Sequence, residues 1–391
     1  MKKVHFLASK ENLETFFLDP IRLNQKELKE RGYKINIFYA PTSKSMSCDI
    51  LCILSKALIK MLNEKESVFQ ESGPIINFLC KARERTDKII WMDTSDSTGV
   101  THFEILDFVD LYLKKQLLKD RALYQKEFYG GRIFTDYYHE KFLINDKEPF
   151  NQFFPLKSKL NYKVDISWSI SLGDVYTAAN MYSVGKKIGK YFIDWLPKNY
   201  NFLFFSPKIC RNIDFLLKKS LNITRDTVLF HTTELSKRLR QLVNKNPNIN
   251  GLIGDKHERL ALTDKSQQIF KKKMDSFKAY KDLLRQSKIV VGPFSYGDIN
   301  LRDYEAILHG ATLLKPNIDY LETWPPILVK GETYKDFKWD FEDIEYSILT
   351  LLNNSNERLR IATNAQDLYR SYTSKDGMEK FCDWFIHQIE K

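Results

Sequence analysis

The sequence predicts an α/β protein made of two units, each a mostly parallel sheet covered by helices. Three observations carry that expectation. The chain has 391 residues, more than one core commonly fills, since domains average about 100–200 residues. Short apolar runs alternate with segments of helical period, which is the pattern of βαβ units. Hydrophobic residues make up 43% of the chain and include 27 Phe, 20 Tyr and 6 Trp, enough to build packed cores and to argue against disorder.

The elements follow in order. KVHFLAS (3–9) reads as a strand, NQKELKERG (24–32) as a helix closed by Gly32, and YKINIFYA (33–40) as a second strand. CDILCILS (48–55) is a short apolar run between polar residues, hence a buried strand, and PIINFLCKARER (74–85) has helical spacing. DKIIWMDTSDSTG (87–99) is a strand opening into a loop, and VDLYLKK (109–115) is another strand. Residues 124–160 are irregular and aromatic, with Pro149 and Pro155 interrupting them, and read as the end of the first unit.

KVDISWSISLGD (163–174) then opens the second unit with a strand. A helix (183–196), strands at NFLFFSP (201–207) and TVLFHTT (227–233), and a helix ELSKRLRQLVNK (234–245) follow. NINGLIG (248–254) is a weak strand, residues 266–287 form a long helix, and KIVVGPF (288–294) is a buried strand. The tail from 340 onward is helical, and Met378, Phe381, Cys382, Phe385 and Ile389 fall on one stripe. The expected division is 1–160, 161–372, and a last helix, 373–391, that returns toward the first unit.

The net charge of +11 favours polyanionic partners such as nucleotide phosphates, nucleic acid or an anionic membrane face. The lysines are spread through helical stretches rather than gathered in one patch, and no nucleic-acid-binding motif occurs, so nucleic acid is not expected as the partner. Five cysteines without a CxxC pair argue against zinc and a disulfide framework and fit a reducing cytoplasm. The N-terminal residues carry no apolar signal-type core, and no apolar run approaches the ~18 residues of a membrane span.

The stretch richest in chemistry is VVGPFSYGDINLRDYEAILHGATLLKP (290–316). A buried strand breaks into a polar turn holding Ser295, Tyr296, Gly297 and Asp298, and a short helix follows with Arg302 and Glu305 near its start. Ligands in open α/β sheets bind beyond the carboxyl ends of the strands, and a helix start there suits phosphate. Arg302 has the forked donors for phosphate, and Glu305 can accept from both hydroxyls of a ribose. The plainer alternative is an Asp298 cap and an Arg302–Glu305 surface pair.

Tyr296-Gly297-Asp298, Arg302-Asp303-Tyr304-Glu305-Ala306, Gly310 and Pro316, with YLETWPPIL (320–328) and GETYKDFKWDFEDIE (331–345) after them, resemble the C-terminal module of bacterial GT-B glycosyltransferases. The likeness is to a group found with surface-polysaccharide genes and is strongest over 280–345. It implies two Rossmann-like domains facing a cleft, with C-terminal helices packing back across them. It also implies transfer of a sugar from an activated, nucleotide-linked donor to a glycan or lipid-linked acceptor, with no further cofactor and no metal. The donor would lie in the C-terminal domain, held by Glu305 and Arg302, and the acceptor in the N-terminal one. One departure stands out. Many retaining members place two glutamates eight positions apart, whereas here Gly297 precedes Glu305 by eight, so the stereochemistry stays open.

Four further groups are candidates. Asp93 and Asp96, at a strand end and in the next turn, are placed for general-base work on an acceptor hydroxyl, and His102 titrates near neutrality. The same DTSDSTG loop would also serve as a helix cap. The run YLKKQLLKDR (112–121) supplies Lys114, Lys115, Lys119 and Arg121, either as an anion contact or as a solvated helix face. Arg132, beside Gly130 and Gly131, is a second acceptor or phosphate contact, because the glycines let a ligand approach the backbone. Lys237 and Arg238, after the 227–233 strand, would reach phosphate. Two other readings remain at this stage: a GT-B-shaped carbohydrate binder without activity, and a basic nucleic-acid-binding protein. The basic surface and a lipid-linked acceptor would place the protein on the inner face of the cytoplasmic membrane.

Overall fold

The computed structural model describes residues 1–10, 16–63, 73–147, 153–173, 204–218, 223–254 and 277–391. It holds two parallel sheets. The first contains β1 (Lys2–Leu7), β2 (Tyr33–Phe38), β3 (Cys48–Leu54), β4 (Thr86–Asp93), β5 (Leu111–Lys114) and β7 (Val164–Ile166) in the order β2-β1-β3-β4-β5-β7. The second contains β8 (Ile213–Lys218), β9 (Gly251–Gly254), β10 (Ser287–Val291), β11 (Thr312–Pro316) and β13 (Lys335–Phe337) in the order β13-β11-β10-β8-β9. All of these pairings are parallel. Central strands such as β3 and β4 are buried on both faces, which is why CDILCIL and KIIWMD are near-continuous apolar runs.

Strand order fixes where ligands can sit. In the first sheet the chain turns one way from β1 to β2 and the other way from β3 onward, so the order reverses between β1 and β3. In the second it reverses between β8 and β10. A crevice opens beyond the carboxyl ends of the strands at such points.

The two lobes are joined closely. A short antiparallel ribbon pairs β6 (Leu117–Leu118) with β12 (Leu321–Glu322). Ser169 N–H donates to the Trp324 carbonyl at 2.6 Å. The helix Lys375–Glu390 lies against the first lobe, with Phe381, Cys382, Phe385 and Ile389 buried among Val4, Phe6 and Ile50. Each of the larger apolar side chains buried there contributes about 1.5–3 kcal/mol. The Trp384 ring stacks on Trp324 at 4.1 Å. The architecture is thus GT-B-like: two Rossmann-like lobes face one cleft, and the C-terminal helices pack back across them.

Several elements differ from expectation. TVLFHTT (227–233) is no strand but the first two turns of a helix, Asp226–Lys245. Its β-branched residues suggest a strand, yet Val228, Thr232, Leu235, Leu239 and Leu242 are buried at helical spacing, and that stripe prevails. Val164–Ile166, expected to open the second unit, instead pairs with β5 and closes the first sheet. Val164 and Ile166 fill the first lobe's core, and the edge of β5 supplies the hydrogen bonds. Leu111–Lys114 is the strand expected at 109–115, which rules out the alternative of a solvated helix face for its lysines, and Lys114 is fully buried. Residues 204–207 of NFLFFSP are irregular rather than a strand. The expected helix 183–196 and the first part of the helix expected at 266–287 lie outside the described residues, which resume with the helix Phe277–Gln286.

Candidate active site

The second lobe shapes its half of the site through one buried ion pair. Asp303 Oδ2 lies 2.9 Å from Lys315 Nζ, with both side chains fully buried. The same carboxylate accepts from the Asn300 N–H at 2.9 Å and closes a capping box on the helix Leu301–Leu308. A Cβ on Gly292 would lie 2.4 Å from Asp303 Oδ1, so the end of β10 needs a glycine there to seat the carboxylate. With Asp303 turned inward, Arg302 and Glu305 of that helix face out over β8 and β10.

They face a cavity of about 490 Å³ between the lobes. Its second-lobe wall includes Lys218 at the end of β8, Tyr280, the loop Ser295–Gly297, Asn300, Arg302 and Glu305. Its first-lobe wall includes Phe16, Phe17, Lys56, Thr94, Asp96 and Lys115. Arg302 Nη1 donates to the Lys218 carbonyl at 2.7 Å, which fixes the guanidinium beside the strand end. Lys218 Nζ sits 3.7 Å from the centre of the Tyr280 ring. Burial pushes the Glu305 carboxyl above its ordinary value, while Arg302, Lys218 and a hydrogen bond with Tyr280 work against that rise. On the other wall Asp96 Oδ1 lies 3.0 Å from Lys115 Nζ, and Oδ2 lies 3.2 Å from Lys56 Nζ. Desolvation would raise the Asp96 carboxyl, but Lys115 and Lys56 outweigh it and hold it well below the usual carboxylate range.

Of the residues singled out from sequence, Glu305, Arg302, Ser295, Tyr296, Gly297, Asp96 and Lys115 line this cavity. Tyr296 is a wall: its hydroxyl is bonded to the Thr224 N–H at 2.8 Å and to Thr224 Oγ1 at 2.9 Å. The Ser295 hydroxyl donates to Asn300 Oδ1.

Asp93 and His102 are not on the cleft. Asp93 Oδ2 accepts from Lys114 Nζ at 2.7 Å and from the Tyr112 hydroxyl at 2.5 Å, and Oδ1 accepts from the Ser95 N–H at 2.8 Å. Burial opposes ionisation, yet the Lys114 ammonium and the hydrogen bonds from Lys114 and Ser95 keep Asp93 charged. Its role is to pin the loop that carries Asp96. His102 is buried beside it, its Nδ1 accepting from Trp91 Nε1 at 3.3 Å, and burial lowers its pKa to about 4. It is neutral at pH 7 and shielded from any substrate in the cleft.

Asp298 and Arg132 are struts between the lobes. Asp298 Oδ2 accepts from the Thr98 N–H and Oγ1, both at 2.9 Å, and from Gln116 Nε2 at 3.0 Å. Oδ1 accepts from the Tyr320 hydroxyl at 2.6 Å. Arg132 donates from Nε to the Tyr296 carbonyl at 2.8 Å and from Nη1 to the Gly130 carbonyl at 2.7 Å. Gly130 and Gly131 take positive φ, 67° and 70°, and the tight backbone approach at this loop is made by Gly99, whose Cβ would lie 2.7 Å from the Gly131 carbonyl oxygen. Gly297 has the same function, since a Cβ would come within 2.6 Å of the Asp96 carbonyl. Lys237 and Arg238 lie on the helix Asp226–Lys245, paired with Glu234 at 3.3 and 2.9 Å, and do not line the cavity.

Sequence reading missed Lys56, Lys218, Tyr280 and the pair Phe16–Phe17. Two of these had a signal. Lys218 ends β8 and Lys56 follows β3 by two residues, and both stand where the strand-end rule places ligand contacts. Among the described residues no group of three or more His, Cys, Asp or Glu is arranged to hold a metal ion. No helix among them is long and apolar enough to cross a membrane.

No family model matches the chain, and no curated protein matches it in sequence. Solved structures do resemble it in outline. An alpha-glucosyltransferase in complex with UDP aligns over 100% of both chains, with a TM-score of 0.47 and 10% identity. HepE from Anabaena in complex with UDP covers 99% of this chain and 100% of its own, with a TM-score of 0.42 and 11% identity. TarM aligns with 97% of this chain, spanning 59% of its own length, at a TM-score of 0.43 and 11% identity. The GT-B-like architecture stands on the strand order and lobe contacts given above.

Proposed function

We propose that the protein is a glycosyltransferase that moves a sugar from a nucleotide-linked donor to a glycan or lipid-linked acceptor. The observation that carries this reading is the interlobe cavity, where Glu305 and four basic side chains, Lys56, Lys115, Lys218 and Arg302, converge from both lobes. The chemistry needs such an arrangement. As the acceptor hydroxyl attacks the anomeric carbon, the C–O bond to the leaving diphosphate breaks and negative charge grows on its oxygens. Fixed cations aimed at that charge lower the barrier. Glu305 accepts from the donor's ribose hydroxyls, and Arg302, anchored on the Lys218 carbonyl, meets the phosphates. Both sit at the second sheet's order reversal, where a nucleotide is expected.

Asp96 is the acceptor-side carboxylate on the cleft. Lys56 and Lys115 hold it ionised and weakly basic. A diphosphate competes for both ammonium groups, which leaves Asp96 to take the proton of the acceptor hydroxyl. The interlobe struts hold the two walls in register before substrate arrives.

The test is turnover. Wild type, Asp96→Asn and Arg302→Ala are incubated with a panel of nucleotide sugars, and released nucleotide is measured. At least one donor is consumed by wild type, Arg302→Ala loses both binding and turnover, and Asp96→Asn binds donor but turns over at least ~100-fold more slowly. A panel with no donor consumed or bound would remove the proposal.

A further inference from the structure

Tyr280 stands beside Glu305 on the second-lobe wall of the interlobe cavity. It comes from the helix Phe277–Gln286, and Glu305 comes from the helix Leu301–Leu308. One guanidinium ties the far ends of these helices together. Arg211 Nη1 donates to the Leu284 carbonyl at 3.3 Å and to the Ser287 carbonyl at 2.8 Å, and Nη2 donates to the His309 carbonyl at 2.9 Å. Arg211 is itself buried. A Cβ on Gly310 would lie 2.8 Å from its Nη2, so the packing leaves the guanidinium no other place. The spacing of the two helices is thereby fixed behind the cavity.

In front, Tyr280 meets Glu305. The Tyr280 hydroxyl donates to the Glu305 carboxylate. The Tyr280 ring is buried, and Lys218 Nζ lies 3.7 Å from its centre, a cation–π contact that holds the ring flat against the end of β8. Tyr280 is thus set from three sides: by its helix, by Lys218 and by the carboxylate it bonds.

The consequence lies in how Glu305 meets a ligand. A carboxylate accepts at about four lone-pair positions. Tyr280 takes one of them and so fixes the turn of the carboxylate about its last bond. Glu305 is 9% exposed and lines the cavity, so the acceptor positions it presents there have a fixed direction and little water. A ribose offers two adjacent hydroxyl donors to such a carboxylate, and a 2′-deoxyribose offers one. A buried group built to receive a hydroxyl rejects the analogue that lacks it, because the group is left short of a partner.

We propose that Tyr280 is a positioning residue that sets Glu305 for a vicinal diol, so that the donor is a sugar linked to a ribonucleoside diphosphate and not to a 2′-deoxyribonucleoside diphosphate such as that of thymidine. This rests on the donor-site reading of Glu305 and adds to it the pentose of the nucleotide and the residue that selects it.

UDP, ADP and GDP and their 2′-deoxy counterparts are titrated by calorimetry into full-length wild type, Tyr280→Phe and Glu305→Gln, and urea unfolding is run on each protein. Tyr280→Phe keeps the ring under Lys218 and removes the hydroxyl alone. In wild type at least one ribonucleotide binds ~10-fold or more tightly than its 2′-deoxy form. Both substitutions lower that ratio at least ~3-fold, and Tyr280→Phe does so with a urea midpoint close to that of wild type. A tyrosine that served packing alone would weaken both forms alike and leave the ratio unchanged. A wild-type ratio under ~10, or a ratio that either substitution leaves in place, overturns this inference while nucleotide binding itself keeps the donor assignment standing. Failure of every nucleotide to bind wild type overturns the donor assignment, and this inference with it.

Discussion

Replacing Asp298 should loosen the protein at the seam between its lobes. The carboxylate is buried and receives four hydrogen bonds, from Thr98 N–H, Thr98 Oγ1, Gln116 Nε2 and the Tyr320 hydroxyl. In Asp298→Ala the two hydroxyls and the amide can turn elsewhere, but the Thr98 N–H is fixed by the backbone. A buried donor left without a partner costs about 1–3 kcal/mol, and hydrogen bonds to a charged group are each worth about 1.5–3 kcal/mol. These terms do not add, so the expected loss is about 2–4 kcal/mol. Asp298→Asn keeps the shape and one acceptor oxygen, and its amide can donate to Tyr320, so it should lose about 1–2 kcal/mol. Urea unfolding measures the stability, and hydrogen exchange on peptides covering 94–100 measures the local effect. Exchange there should rise in Asp298→Ala before global unfolding contributes. If the alanine variant stays within ~1 kcal/mol of wild type and the 94–100 amides remain protected, the seam does not depend on this carboxylate.

The remaining predictions concern the cores and the cleft. Lys114→Met leaves Asp93 charged and buried without its ammonium partner at 2.7 Å, and should lower the unfolding free energy by about 3–5 kcal/mol by urea titration. Gly297→Ala places a methyl 2.6 Å from the Asp96 carbonyl, so it should weaken nucleotide affinity and raise exchange at 94–100, whereas Gly331→Ala, strained by its φ of +73° but with open space around it, should lower stability and leave both of these unchanged. Acid should destabilise the fold through its buried imidazoles. Burial lowers His102 and His309 to about 4 and His231 to about 3, against 6.5 in an unfolded chain. The unfolded state therefore takes up protons first as pH falls. For these three groups the contribution is full above about 6.5 and declines toward 4, at up to ~1.4 kcal/mol per pH unit each; Glu104, raised by burial to about 8, works the other way and offsets part of the loss. Urea midpoints at pH 7.5 and 5.0 should differ in that sense, and equal midpoints would show that these rings are solvated.

Much of the fold was legible because local pattern and tertiary role coincide. The strand runs at 50–54 and 289–291 are apolar throughout, and every residue in them is buried. The stripe Phe381, Cys382, Phe385 and Ile389 is buried as its spacing implies. Arg302 and Glu305 were legible for a similar reason, since the helix they begin follows a buried strand directly. What stayed hidden depends on partners distant in sequence. Asp298 looks like a helix cap until Thr98, 200 positions away, is brought to it. Asp93 looks like a strand-end base until Lys114 and Tyr112 from the neighbouring strand occupy it. Arg132 and its glycines suggest a ligand loop, but the guanidinium bonds the Tyr296 and Gly130 carbonyls, and Gly99 brings the protein's own backbone against Gly131. Residues 227–233 have β-branched residues at strand-like density, and only the longer apolar period through Leu242 reveals the helix.

The central claim is that the cleft grips an activated donor through Glu305 and Arg302. The most direct measurement is calorimetric titration of nucleoside diphosphates into wild type, Glu305→Ala, and Lys237→Ala as a control on a helix surface away from the cavity. The account predicts that one nucleotide binds wild type and the control alike and binds Glu305→Ala at least ~10-fold more weakly. Equal affinity in wild type and Glu305→Ala, or no nucleotide bound by any of them, would contradict it.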